Sequence, residues 1–168
     1  MRQSKKLQSR VHKFYCPVVV FLISGTIYYT IEVIWKTLNP GSICHWSMFV
    51  LAGIIGVIAS SMNNLFSMDM PFEQQVICSS FVAILGEYIT GMIVNVKLGL
   101  NVWDYSGLSG TFANGQCNVF FCIAWVVILT LIIPLLDWIE WKIGCEEKPY
   151  YIIFGHLICM EEKGDKNE

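Results

Sequence analysis

Two carboxylates stand inside apolar runs, Glu32 in YYTIEVIW and Glu87 in VAILGEYITGM. An acidic side chain at the centre of a bilayer costs about 2.5–3.5 kcal/mol or more, so it faces a cavity or a partner. Such a group can carry a proton, hold a cation, or hydrogen-bond across helices. Residues four apart share one helix face. That rule puts Glu32 on a stripe with Ser24 and Tyr28, and Glu87 on a stripe with Ala83, Gly91 and Asn95. A third stripe, Ala52, Gly56, Ser60 and Asn64, is small and polar without an acid. Neither glutamate has an evident Lys or Arg partner at similar depth. Protonation, Tyr28, Asn63, Asn64 or mutual pairing remain, and Glu32, near a helix end, could also reach the interface. The small residues read as packing seams that let helices approach closely.

A third carboxylate, Asp104, lies in the glycine-rich segment NVWDYSGLSGTFANGQCN with Ser106, Ser109 and Asn114. It could serve a ligand at a cavity mouth, or accept backbone N–H bonds that fix a turn. Trp103 and Tyr105 beside it suit the headgroup level. The candidate residues of a substrate or ion pathway are therefore Glu87, Glu32, Asp104, Tyr28, Asn95 and Asn64. Catalytic chemistry has less to work with. Three histidines, at positions 12, 45 and 156, make a conventional zinc site unexpected. The seven cysteines form no CxxC pair and read as small, soft residues of a bundle. No GxxxxGK[ST] phosphate loop occurs, so no cofactor is expected and the chain does not read as an enzyme.

The elements that must position these residues follow from charge placement. The chain has 168 residues, 55% hydrophobic and 14% charged, against the usual quarter charged. That composition excludes disorder and overfills the core of so small a soluble domain. A net charge of −2 leaves no electrostatic footprint for nucleic acid. Between residues 14 and 136 the charged residues are Glu32, Lys36, Asp69, Glu73, Glu87, Lys97 and Asp104. The expected fold is all-α, a membrane bundle of about four spans near 15–35, 46–66, 73–96 and 119–141. A glycine-rich loop joins the third and fourth. Asp137 and Glu140 close the last span beside Trp138 and Trp141, at the interface.

Three segments result: a basic cytoplasmic N-terminus (1–14), the bundle (15–141), and a cytoplasmic tail (142–168). The tail's apolar stretch 150–160 is too short to span and is expected at the interface or against the bundle. Arg2, Lys5, Lys6, Arg10 and Lys13 share one side with Lys142, Lys148, Lys163 and Lys166, and only Lys36 and Lys97 lie opposite. Both termini are thus expected in the cytoplasm, although the 67–72 turn on that side carries no basic residue. The first apolar run exceeds a signal-peptide core and no A-x-A-like site follows it, so a retained span is expected.

Three stretches in combination resemble the bacterial ABC-transporter permease family designated type IV. They are IEVIWKTLNPGSICHWSMFVLAG, LGEYITGMIVNVKLGLNVWDYS, and NGQC leading into an aromatic-rich helix. The tail Glu146-Glu147-Lys148-Pro149 is also similar, and the likeness runs over roughly residues 20–150. The matching residues are Glu32, His45, Trp46, Glu87, Thr90, Gly91, Asn95, Trp103, Asp104, Tyr105, Ser106, Gly115, Gln116 and Cys117. The pattern departs after Ser106, at GLSGTFA, and at Asn118, where proline is commoner. The resemblance implies a small permease-like protein of the bacterial inner membrane, transporting an unidentified substrate with a separate ATPase subunit if any. Four spans are few for a self-sufficient transporter, so a homo-oligomer or partner subunit is expected beside the lipid bilayer. The alternatives are an oligomeric scaffold or pore without ATP-driven transport, and an intramembrane enzyme acting through its carboxylates.

Overall fold

In hydrocarbon no water satisfies backbone N–H and C=O groups, so long apolar runs coil into helices that bond within themselves. The computed structural model describes residues 2–39, 44–62 and 70–160, with side chains from Tyr15 onward. It contains helices α1 (Arg2–Leu38), α2 (Trp46–Ser60), α3 (Phe72–Gly91) and α4 (Val119–Lys142). Three segments are long and apolar enough to cross a membrane: Tyr15–Leu38, Phe72–Lys97 and Val119–Lys142. At 15 residues α2 is shorter; it rises about 22 Å against a hydrocarbon thickness of roughly 30 Å. His45 caps it, its Nδ1 accepting the Ser47 backbone N–H at 3.3 Å.

Each helix packs on its sequence neighbour, and α4 closes back onto α2 and α1. The start of α3 and the end of α4 therefore share one end of the bundle, and the 98–118 loop sits at the other. Leu129, Ile133 and Leu136 of α4 form the centre with Val20 and Ala83. Outward faces are apolar too: Ile77, Phe81 and Leu131 are each about two-thirds exposed. Such a belt suits hydrocarbon rather than water. The α1–α2 crossing is unusually close. A Cβ on Gly25 would lie 2.8 Å from the Phe49 carbonyl oxygen, and one on Gly53 would lie 2.6 Å from the Phe21 ring.

The fold is not wholly α-helical. Strands β1 (Thr111–Phe112) and β2 (Cys117–Asn118) pair within the loop, and β3 (Tyr150–Ile153) pairs with β4 (His156–Cys159) in the tail. The apolar stretch 150–160 is thus a hairpin, turned by Phe154 and Gly155 with φ of +48° and +79°, the geometry of a two-residue type I′ connection. It packs on the bundle: the Tyr151 ring meets Phe72 edge-on at 5.2 Å, and its hydroxyl donates to Asp137 Oδ2 at 2.7 Å. Asp137 is thus buried beneath the hairpin, and Glu140 is buried as well. The cysteines are not all packing residues either. Cys16 and Cys145 form a disulfide across 129 residues, tying α1 to the chain just past α4.

Candidate functional site

Glu87 projects from α3 with 2% of its surface exposed. A buried carboxylate needs donors, and two reach it. The Tyr105 hydroxyl donates to Oε1 at 2.9 Å and the Trp125 indole N–H donates to Oε2 at 3.0 Å. Both donors are themselves held. Tyr28 of α1 stacks on Trp125 with ring centres 4.9 Å apart and planes 3° from parallel. Tyr105 stacks on Phe121 at 4.5 Å. Burial, with the nearby Glu87 carboxylate adding to it, pushes the Tyr105 phenol far above its ordinary range, so it remains a donor.

Glu32 does have a basic partner. Lys36 lies one turn further along α1 and its Nζ sits 2.8 Å from Glu32 Oε1. Lys36 also donates to the Val102 carbonyl at 3.2 Å, joining α1 to the loop. The expectation of no partner treats Lys36 as a loop residue, whereas α1 continues to Leu38 and keeps both side chains on one face. Glu32 Oε2 is buried and finds no hydrogen-bond partner among the described residues.

The loop is organised from α3 outward. Past Gly91 the helix widens into a π-helical turn, Met92–Lys97, which turns both Val94 and Asn95 inward. Asn95 Nδ2 donates to Gln116 Oε1 at 2.8 Å and its Oδ1 accepts the Val102 N–H at 2.7 Å. Trp103 donates from its indole N–H to the Gln116 carbonyl and is buried. Asn118 caps α4, accepting from the Phe120 N–H at 2.9 Å while donating to Ser109 and Thr111. A proline there could not make those bonds.

Asp104 Oδ1 accepts the Ser106 hydroxyl at 2.6 Å and the Ser106 N–H at 2.9 Å. Gly115 must stay glycine, because its φ is +80° and a Cβ there would press on Asp104 and Ser106. Those two bonds, the hydroxyl's first, hold the exposed Asp104 carboxyl below its ordinary range. A lowered folded-state pKa contributes stability that is present above the unfolded value, about 3.9, and is lost as pH falls through the folded one. Asp104→Asn should therefore leave loop proteolysis at pH 7 nearly unchanged, since an amide oxygen still accepts. Asp104→Ala should raise the cleavage rate severalfold, and acidification of the parent should move it the same way. Equal cleavage of all three would remove Asp104 from the turn.

These elements border a half-open cavity of about 350 Å³ at the loop end, between α1 and α4. Glu87, Glu32, Tyr28 and Asp104 all line it. Asn95 stands behind it in the Gln116 layer, and Asn64 lies outside the described residues. Sequence reading misses Lys36, Tyr105 and Trp125 as its partners. Only Trp125 leaves a signal, an indole N–H within a span, which requires an acceptor. Among the described residues no three His, Cys, Asp or Glu side chains group so as to hold a metal. Comparison with known families, with curated proteins and with solved structures finds no match. Function must be read from the cavity itself.

Proposed function

We propose that this chain is a multi-pass membrane protein serving as the membrane-embedded subunit of a permease, receiving its substrate in the cavity between α1 and α4. The observation that carries the reading is the cavity wall, which sets two buried glutamates among aromatic rings on helices long and apolar enough to cross a membrane. A purely structural seam would close over such groups, because an acidic side chain in hydrocarbon is costly. Without a phosphate-binding loop, any ATP hydrolysis belongs to a separate subunit, and several copies or a partner complete the path. No catalysis is assigned to the chain. Purification in mild detergent tests this: a co-purifying ATPase is expected, and a homo-oligomer alone would favour the scaffold or pore.

Orientation follows the Lys and Arg residues, which puts both termini in the cytoplasm and the cavity mouth outside. The Cys16–Cys145 pair then faces a compartment that keeps thiols reduced, and it closes there only under oxidation. In intact cells an impermeant maleimide should label half-buried Cys44 and spare exposed Cys159. Cys117 is a poor reporter, being 1% exposed with its thiol pushed up to about 11 by burial. Labelling of Cys159 with Cys44 silent would reverse the orientation and leave the disulfide permanently on the oxidising side.

A further inference from the structure

The hydrogen-bonding groups around the cavity are largely committed to one another. Glu87 uses both oxygens on Tyr105 and Trp125, and Asp104 turns one oxygen into its own loop. What remains for a guest is Glu32 Oε2, which is buried and unpartnered, the second oxygen of Asp104, and the surfaces of Trp35, Trp103, Tyr105 and Phe121. A sugar or peptide would need several donors as well as acceptors, and the Tyr105 hydroxyl and Trp125 indole N–H are already spent on Glu87. An anion would meet Glu32 and Glu87. A small metal ion would need several oxygens to replace its water. An organic ammonium needs neither: aromatic faces attract a cation within about 6 Å, and quaternary ammonium groups are recognised by such cages. Glu32, Glu87 and Asp104 outnumber Lys36, so the field favours positive charge.

We propose that this cavity binds an alkylammonium group, with the cation among the aromatic rings near Glu32 and Glu87. The proposal deepens the permease reading by naming its substrate class. The volume, about 350 Å³, lies at the small end of the roughly 300–1,000 Å³ of small-molecule sites. Ile31 and Phe120 line the cavity and are also exposed on the outer surface of the bundle, so an attached alkyl chain has an apolar way out. The ammonium therefore comes either from a free solute or from a lipid headgroup, and one experiment separates the two.

The full chain in maltoside micelles is titrated with tetramethylammonium chloride and followed by tryptophan fluorescence, with sodium chloride as the ionic control. Saturable quenching is expected. The neutral isosteric pair, choline against 3,3-dimethylbutan-1-ol, should differ at least tenfold in favour of the cation. Ala124 lines the cavity and carries no polar side-chain atom, so Ala124→Leu should abolish the response by filling the space while the helical circular dichroism is kept. Glu87→Gln should weaken it at least tenfold. Equal binding of choline and its neutral isostere overturns the proposal, as does an unchanged isotherm in Ala124→Leu; both hold even if Glu87→Gln fails to fold. In nanodiscs, phosphatidylcholine competes with tetramethylammonium if the headgroup is the ligand. A free solute gives the same isotherm in phosphatidylglycerol with or without it. The titration needs no ATPase, so saturable binding without a co-purifying ATPase keeps this site and removes the permease role. An ATPase partner with no ammonium binding does the reverse.

Discussion

Replacing Glu87 with leucine is expected to lower the melting temperature in detergent by several degrees, whereas glutamine at the same position leaves it nearly unchanged. The leucine strands two donors, the Trp125 indole N–H and the Tyr105 hydroxyl, which point at the lost oxygens from 3.0 and 2.9 Å. Interhelical hydrogen bonds in a membrane are worth about 0.6–1.7 kcal/mol each, so the loss is about 1–3 kcal/mol. The insertion cost of the carboxyl does not offset this, since folded and unfolded chains both remain in the apolar phase. Glutamine has one acceptor and one donor end. Its oxygen can take the indole N–H, which only donates, and its amide can donate to the Tyr105 oxygen, which accepts equally well. The two substitutions thus separate the hydrogen bonds from the charge. Thermal melting beside ammonium titration reads both: glutamine should keep stability and lose affinity. A glutamine variant as unstable as leucine would show that ionisation itself holds α3 to α4 and the loop.

Much of that site is legible in the amino-acid sequence, for a simple reason. Charge is so scarce between residues 14 and 136 that Glu32 and Glu87 stand out, and helical spacing places their neighbours. Ala83, Glu87, Gly91 and Asn95 do form one buried stripe on α3 and its extension. What spacing cannot show is a change of period. Nothing in MIVNVK announces the π-helical turn, yet it brings Asn95 to Gln116 and Val102. Lys36 is hidden by a helix boundary expected at Trp35, three residues short of Leu38, which turns a helical neighbour of Glu32 into a loop residue. The β3–β4 hairpin is hidden by its turn: Phe154-Gly155 lacks the Asn-Gly or Asp-Gly signal of a type I′ connection. The burial of Asp137 beneath it, and of Glu140 one turn on, is masked by the belt-like tryptophans beside them. The Cys16–Cys145 link joins residues 129 apart, a pairing that only tertiary structure determines.

The largest structural effect is expected at Gly56. A Cβ placed there would lie within the space of the Ser24 side chain, whose hydroxyl is already fixed to the Val20 carbonyl at 2.7 Å. The obstacle includes the Ser24 Cβ, which cannot swing away as the tip of a long side chain could. Nor can α1 slide freely along α2 to make room, because Gly25 meets Phe49 and Gly53 meets Phe21 closely along the same seam. Overpacking of this kind costs about 1–3 kcal/mol, occasionally more. The better helix propensity of alanine returns up to about 1 kcal/mol. Gly56→Ala should therefore melt measurably earlier than the parent, and Gly56→Leu should not yield folded protein. Ser24→Gly removes the overlapping atoms, so the double variant Ser24→Gly, Gly56→Ala should recover most of the loss. A double-mutant cycle measures that coupling directly. Tyr28 and Glu32 lie one and two turns beyond Ser24 on α1, so a displaced α1 also pulls the Tyr28 ring from Trp125 and opens the cavity. Ammonium affinity should fall in Gly56→Ala and return in the double variant. Additive effects with no rescue would mean that the α1–α2 seam neither sets the helix spacing nor holds the cavity wall.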